Sequence, residues 1–154
     1  LVWVVQDKDA LTGGADLHEP FGFGKDGQTT GNAGAANDDT DLVTSAVLQL
    51  NGHDRFRERE GSYFRVTQAA QHHTGGYQAI DNTKELGGIY SYSFALKPED
   101  HQPSGTCNFS RIDNALLTLN LAESSGATKE VRTYATNYNV LRIMSGMGGL
   151  AYSN

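Results

Sequence analysis

Apolar and polar positions alternate along most of this chain, with period two far more often than the 3.6 of a helix. Residues 1–6 are the first case and an unusual one, because both alternating faces are apolar. Val2 and Val4 lie on one face, Leu1, Trp3 and Val5 on the other. A strand of that kind is buried on both sides and should pack against something beyond its own sheet. From Leu42 onward, Ala46, Leu48 and Leu50 alternate with Val47, Gln49 and Asn51, which predicts a half-buried strand. The same reasoning predicts a strand in which Tyr90, Tyr92, Phe94 and Leu96 oppose Ser91, Ser93 and Ala95. Another places Ala115, Leu117, Leu119 and Leu121 opposite Leu116, Thr118 and Asn120. A long strand over 131–143 is expected to turn Tyr134, Thr136, Tyr138 and Val140 inward, with a bulge near Asn139. One helix is expected over about 62–72. Ser62 is its cap, Tyr63, Phe64 and Val66 occupy its early turns, Ala69 and Ala70 follow, and Gly75-Gly76 stop it.

Two stretches break the pattern. Residues 7–41 hold Gly13, Gly14, Gly22, Gly24, Gly27, Gly31 and Gly34 among Asp, Asn and Thr, and residues 75–88 form a second loop. A loop of the first kind is uncommon inside a compact domain and is expected to decorate a rigid scaffold. Pro98 and Pro103 bracket a connection, Ser124-Ser125-Gly126 makes a turn, and residues 145–152 form a flexible tail with apolar anchors. Short strands, long loops and one short helix predict an all-β sandwich.

The chain has 154 residues, enough for one core, and 38% hydrophobic residues, so a packed domain is expected rather than disorder. Twelve basic against eighteen acidic residues leave a net charge of −6, which argues against direct nucleic-acid binding. A single cysteine, Cys107, excludes an intramolecular disulfide framework and any multi-cysteine zinc site. No run of about 18 apolar residues occurs that could span a membrane. The start at Leu1, without Met and already in strand pattern, suggests a fragment whose upstream strands are missing.

Candidate chemistry is sparse. His72 and His73 are adjacent and would point about 100 degrees apart on a helix, which is poor geometry for one metal ion. Cys107 lacks an assured base, although His101 is six residues upstream. Asp38, Asp39 and Asp41 lack the ligand order of a calcium loop. Gly22-x-Gly24-x-x-Gly27 is not set between a strand and a helix, so it is not a dinucleotide fingerprint. Asn108-Phe109-Ser110 is an N-glycosylation sequon without a secretory signal. The mixed-sign run over 54–60 reads as a solvated face. Neither a catalytic set nor a cofactor or metal site is expected.

The connection Gln102-Pro103-Ser104-Gly105-Thr106-Cys107-Asn108-Phe109-Ser110-Arg111-Ile112-Asp113 resembles a signature of the major capsid proteins of large nucleocytoplasmic DNA viruses, closest to the algal phycodnavirus and mimivirus-like type. Collinear segments are similar to the same family, among them Leu1-Val2-Trp3-Val4-Val5-Gln6, Leu50-Asn51-Gly52-His53-Asp54-Arg55-Phe56, Gln71-His72-His73-Thr74 and Tyr92-Ser93-Phe94-Ala95-Leu96. Val131-Arg132-Thr133-Tyr134-Ala135, Asn137-Tyr138-Asn139-Val140-Leu141-Arg142-Ile143 and the closing residues 145–154 continue the likeness. The resemblance implies an all-β jelly-roll sandwich spanning 1–154, the second jelly roll of a double jelly-roll protein, incomplete at its N-terminus. It implies a non-enzymatic homotrimer of pseudo-hexagonal outline, assembled in the host cytoplasm into the icosahedral shell of a virion. Neighbouring capsomers, minor capsid proteins and surface glycans would be its partners. Within the signature, Gln102, Pro103, Ser104, Gly105, Asn108, Phe109, Arg111 and Asp113 are expected to form a structural turn. Pro103 restrains the chain, Gly105 takes a left-handed step, and Phe109 and Ile112 pin the next strand into the core. Trp3, Arg55, Arg57 and Glu58 are candidate inter-subunit contacts. The competing reading is a free-standing carbohydrate-binding jelly roll that stacks sugars on Tyr63, Tyr77 or Tyr90.

Overall fold

The computed structural model describes residues 1–7, 42–74, 88–122 and 128–152. Most of the two predicted loops lies outside the described residues, and with them Asp38, Asp39, Asp41, the Gly22–Gly27 pattern, Gly75-Gly76 and Tyr77. The Ser124-Ser125-Gly126 turn lies outside them as well.

The apolar strand at the start becomes β1, Val2–Asp7, and it is the centre of a three-stranded antiparallel sheet. β5 (Ile89–Ser91) flanks it on one side and β7 (Lys129–Tyr134) on the other, with Trp3 opposite both Tyr90 and Thr133. A second sheet is centred on β2, Val43–Leu50. β6 (Ala115–Leu121) pairs along its whole length, while β3 (His53–Asp54) and β4 (Arg59–Glu60) each add two residues on the opposite edge. The register places Ala46 opposite Leu119 and Leu48 opposite Leu117, so the inward side chains meet as cross-strand pairs.

The core fills the space between these sheets. Trp3, Val5 and Tyr90 from the first sheet meet Leu42, Val43 and Ala46 from the second strand system, and Phe64 closes one end. Trp3 stacks on Tyr90 at 6.1 Å and tilts against Phe64 at 5.2 Å; Phe56 extends the chain of rings from Phe64 to Tyr92. Such ring pairs add about 0.5–1.5 kcal/mol each beyond their buried area. The two sheets are also joined by a polar bond, the Val43 amide donating to Tyr90 Oη at 3.2 Å, beside a register shift between Val43 and Ser45. Both faces of β1 are covered, as its pattern predicts: Trp3, Val4, Val5 and Gln6 are all buried.

The predicted helix forms over 61–72, but its inner turns are wider than α. Tyr63–Thr67 is π-helical and continues into α1, Gln68–His72. Ser62 does not cap it; its backbone is already helical and its side chain makes no cap bond. The buried Gln68 fastens the helix instead, donating to Tyr63 Oη at 2.8 Å and accepting the Ser93 amide at 3.0 Å.

Three expectations are corrected. The strand through Leu96 ends at Ser91, because Ser93 Oγ bonds both the amide and the carbonyl of Ala95 and replaces the ladder with a local turn. The single strand over 131–143 is two. β7 stops at Tyr134, where its partner β1 runs out at Val2, and β8 begins only at Leu141. Tyr134 and Val140 are more than half exposed and Tyr138 is 38% exposed, so this set does not face the core. The tail is not loose: β8 (Leu141–Met144) and β9 (Met147–Leu150) form a hairpin. Ser145 and Gly146 both have positive φ at its tip, the requirement of a two-residue turn that matches strand twist.

Candidate assembly surface

The connection from β5 to β6 is held by its own short side chains. Ser104 Oγ accepts the Lys97 amide at 2.8 Å and donates to the Lys97 carbonyl at 2.9 Å, closing one loop. Gly105 follows with φ +156, and a Cβ there would stand 3.0 Å from Phe94 O and 3.2 Å from Ala95 Cα. Both the positive φ and this close backbone approach favour glycine at the position. Asn108 Oδ1 accepts the Ser110 amide at 3.0 Å and caps a single 3-10 turn, Phe109–Arg111. Phe109 is 44% exposed and its ring meets Phe94 edge-on, so it pins the connection to itself and not to the core; Ile112 is half-buried. Gln102, Pro103, Arg111 and Asp113 are exposed.

The end of the connection is tied to a distant turn. Asn51 Oδ1 accepts the amides of Asp113 (2.9 Å) and Asn114 (3.2 Å), and the Asn51 amide donates to Asn114 O at 2.8 Å. Asn51 and Gly52 both have positive φ, as the β2–β3 turn requires. An Asn-Gly pair between alternating segments favours such a turn, a signal missed in the sequence reading, and nothing local announces its partners 62 and 63 residues on. A second clasp joins the connection to α1. Glu99 accepts from the Thr74 amide, Thr74 Oγ1 and His73 Nδ1, and His72 Nδ1 donates to Leu96 O. The Thr74 donors, followed by His73, hold the Glu99 carboxyl below the usual carboxylate range. The adjacent histidines therefore serve the connection. Among the described residues, no three His, Cys, Asp or Glu side chains gather as a metal site.

The outer face of the β2–β6 sheet is polar. Glu58 Oε1 accepts from Ser45 Oγ (2.5 Å) and Asn120 Nδ2 (2.9 Å), and Gln49 donates to Asp54. Gln49, Asp54, Glu58, Asn120 and Arg57 line an open depression together with Val47 and Thr118. Of the candidate contacts, Arg55 and Arg57 are exposed, while Glu58 is exposed but committed within the chain. Trp3 is fully enclosed by the chain's own core, so its ring has no surface left for a neighbour. Tyr90 is likewise buried and Tyr63 half-buried against Arg59 and Gln68, which removes both as sugar-stacking platforms.

A contrasting surface belongs to β8–β9. Leu141, Ile143, Met144, Met147 and Leu150 are each more than half exposed. Asn139 closes the open end of this hairpin by bonding the main chain of Val140 and Tyr152. Tyr138 Oη reaches Asp100 O at 3.4 Å.

Residues 1–149 match a family model described as large eukaryotic DNA virus major capsid protein. The chain is 64% identical over 115 residues to the major capsid protein of Chrysochromulina ericina virus, covering 73% of this chain and 18% of that protein. It is 48% identical over 145 residues to the major capsid protein of Paramecium bursaria Chlorella virus 1, covering 80% and 31%. A quasi-atomic structure of the PBCV-1 virus capsid superposes with a TM-score of 0.59 at 35% identity, covering 99% of this chain and 43% of the other. The two facing antiparallel sheets are therefore those of an all-β jelly roll. The chain spans less than half the length of each of these relatives.

Proposed function

Because the chain belongs to the major capsid protein family of large eukaryotic DNA viruses, we propose that it is a structural, non-enzymatic part of an icosahedral virion shell. The observation that carries this reading is the family match over 1–149, supported by 64% and 48% identity to two named major capsid proteins. In this reading the chain forms much of the second jelly roll of a double jelly-roll protein, which trimerises into pseudo-hexagonal capsomers in the host cytoplasm. Neighbouring capsomers and minor capsid proteins are its contacts, and surface glycans decorate it.

The physical features suit such a role. A rigid two-sheet core lets exposed connections vary without loss of fold. Arg55 and Arg57 stand exposed beside a fixed Glu58, and the proposal assigns them to ion pairs with an adjoining subunit. The test is the solution mass, by light scattering, of the full-length protein containing this chain. A stable trimer is expected; a monomer at all concentrations overturns the capsomer reading.

A further inference from the structure

The geometry points to Asn51-Gly52 as a site of spontaneous covalent modification, where the Asn51 side-chain amide is lost and the main chain at Gly52 rearranges. It is the one Asn-Gly pair in the sequence. Both residues are exposed, and nothing lies within 4 Å of the position a Gly52 Cβ would take, so the turn is open to solvent on that side. Asn51 Oδ1 already accepts two backbone amides, from Asp113 and Asn114. Negative charge develops on that same oxygen when Cγ is attacked, and fixed donors at a developing oxyanion lower the barrier. Nδ2, the leaving group, makes no hydrogen bond among the described residues.

In the first step Gly52 N gives up its proton and bonds to Asn51 Cγ. The Cγ–Nδ2 bond breaks, and Nδ2 departs as ammonia carrying a proton equivalent to the one released. The product is a five-membered cyclic imide. Water then opens the ring: cleavage at Cγ leaves aspartate, and cleavage at the main-chain carbonyl leaves isoaspartate. No oxidant or reductant is involved.

The two products have different consequences. Aspartate keeps an acceptor oxygen for the amides of Asp113 and Asn114. Isoaspartate inserts a methylene into a two-residue turn and cannot hold those bonds together with the Asn51 N to Asn114 O bond, so it unties β2–β3 from the start of β6. The test is peptide mass mapping of the full-length protein held at mildly alkaline pH. Asn51 is expected to convert before every other asparagine, faster as pH rises, and several-fold more slowly in Gly52→Ala. Should that variant fail to fold, the pH dependence of the native protein carries the same test. If folded protein keeps Asn51 intact while urea-unfolded protein converts it, the turn protects rather than activates and the inference is overturned. The separated isoaspartate fraction should melt below the Asn51→Asp variant; equal melting refutes the untying.

Discussion

A Cβ on Gly105 would meet Phe94 O at 3.0 Å and Ala95 Cα at 3.2 Å, both main-chain atoms that cannot swing aside. Gly105→Val should therefore cost about 2 kcal/mol or more, through strain at φ +156 and displacement of the Phe94–Ala95 backbone. Gly149 provides the contrast, since nothing lies within 4 Å of its Cβ position; Gly149→Ala should shift stability by less than about 0.5 kcal/mol. Denaturant melts of the two variants compare a glycine under both constraints with one under neither, and equal losses would refute this account of Gly105. Tyr90 makes a different demand. Its hydroxyl accepts the buried Val43 amide, so Tyr90→Phe leaves that donor unpaired and should cost about 1–3 kcal/mol despite the nearly identical shape. The sequence marked Gly105 and Tyr90 as notable residues. It did not show what either touches, because the partners of Gly105 lie ten and eleven residues away and that of Tyr90 lies 47 away.

Among the elements, the link between α1 and the connection carries a depressed carboxyl. The Glu99 carboxyl is depressed by the Thr74 donors and His73, so its contribution to stability is present above its unfolded value and is lost as pH falls through the lower folded value. The melting temperature should decline on acidification below the ordinary carboxylate range, and Glu99→Gln should flatten part of that decline. An unchanged acid limb in the variant would remove Glu99 from the account. Elements also show where periodicity misleads. Tyr90, Tyr92, Phe94 and Leu96 alternate as a strand does, yet Ser93 bonds its own neighbourhood and the ladder stops at Ser91. Residues 131–143 carry β-forming side chains throughout, but a strand lasts only as long as its partner, and β1 offers none beyond Val2. By contrast β2 and β6 follow their patterns closely, since each finds the other along seven positions.

For the whole molecule, Trp3 is the single tryptophan and is fully buried between the sheets. Its fluorescence should be blue-shifted and poorly quenched by acrylamide in the native protein, and should shift red in one cooperative step on unfolding. Ready quenching in the native state would contradict the core described above. The exposed side chains of Leu141, Ile143, Met144, Met147 and Leu150 stand on a two-stranded hairpin, an element of marginal stability by itself in water. The arrangement is one reason that the mass of the full-length protein is the decisive quantity for the capsomer reading.

The sequence alone determined what depends on neighbours a few residues apart. Side-chain alternation set β1, β2 and β6, and the collinear motifs identified the family that the comparisons establish. Tertiary structure decided what depends on long-range pairing. It placed Trp3 inside rather than at a subunit contact, joined Asn51 to Asp113 and Asn114, set Glu99 against Thr74, and folded the tail into a hairpin. The physical reason is that local patterns fix which face of a residue is apolar, whereas hydrogen-bond partners and burial depend on which distant segment arrives to meet it.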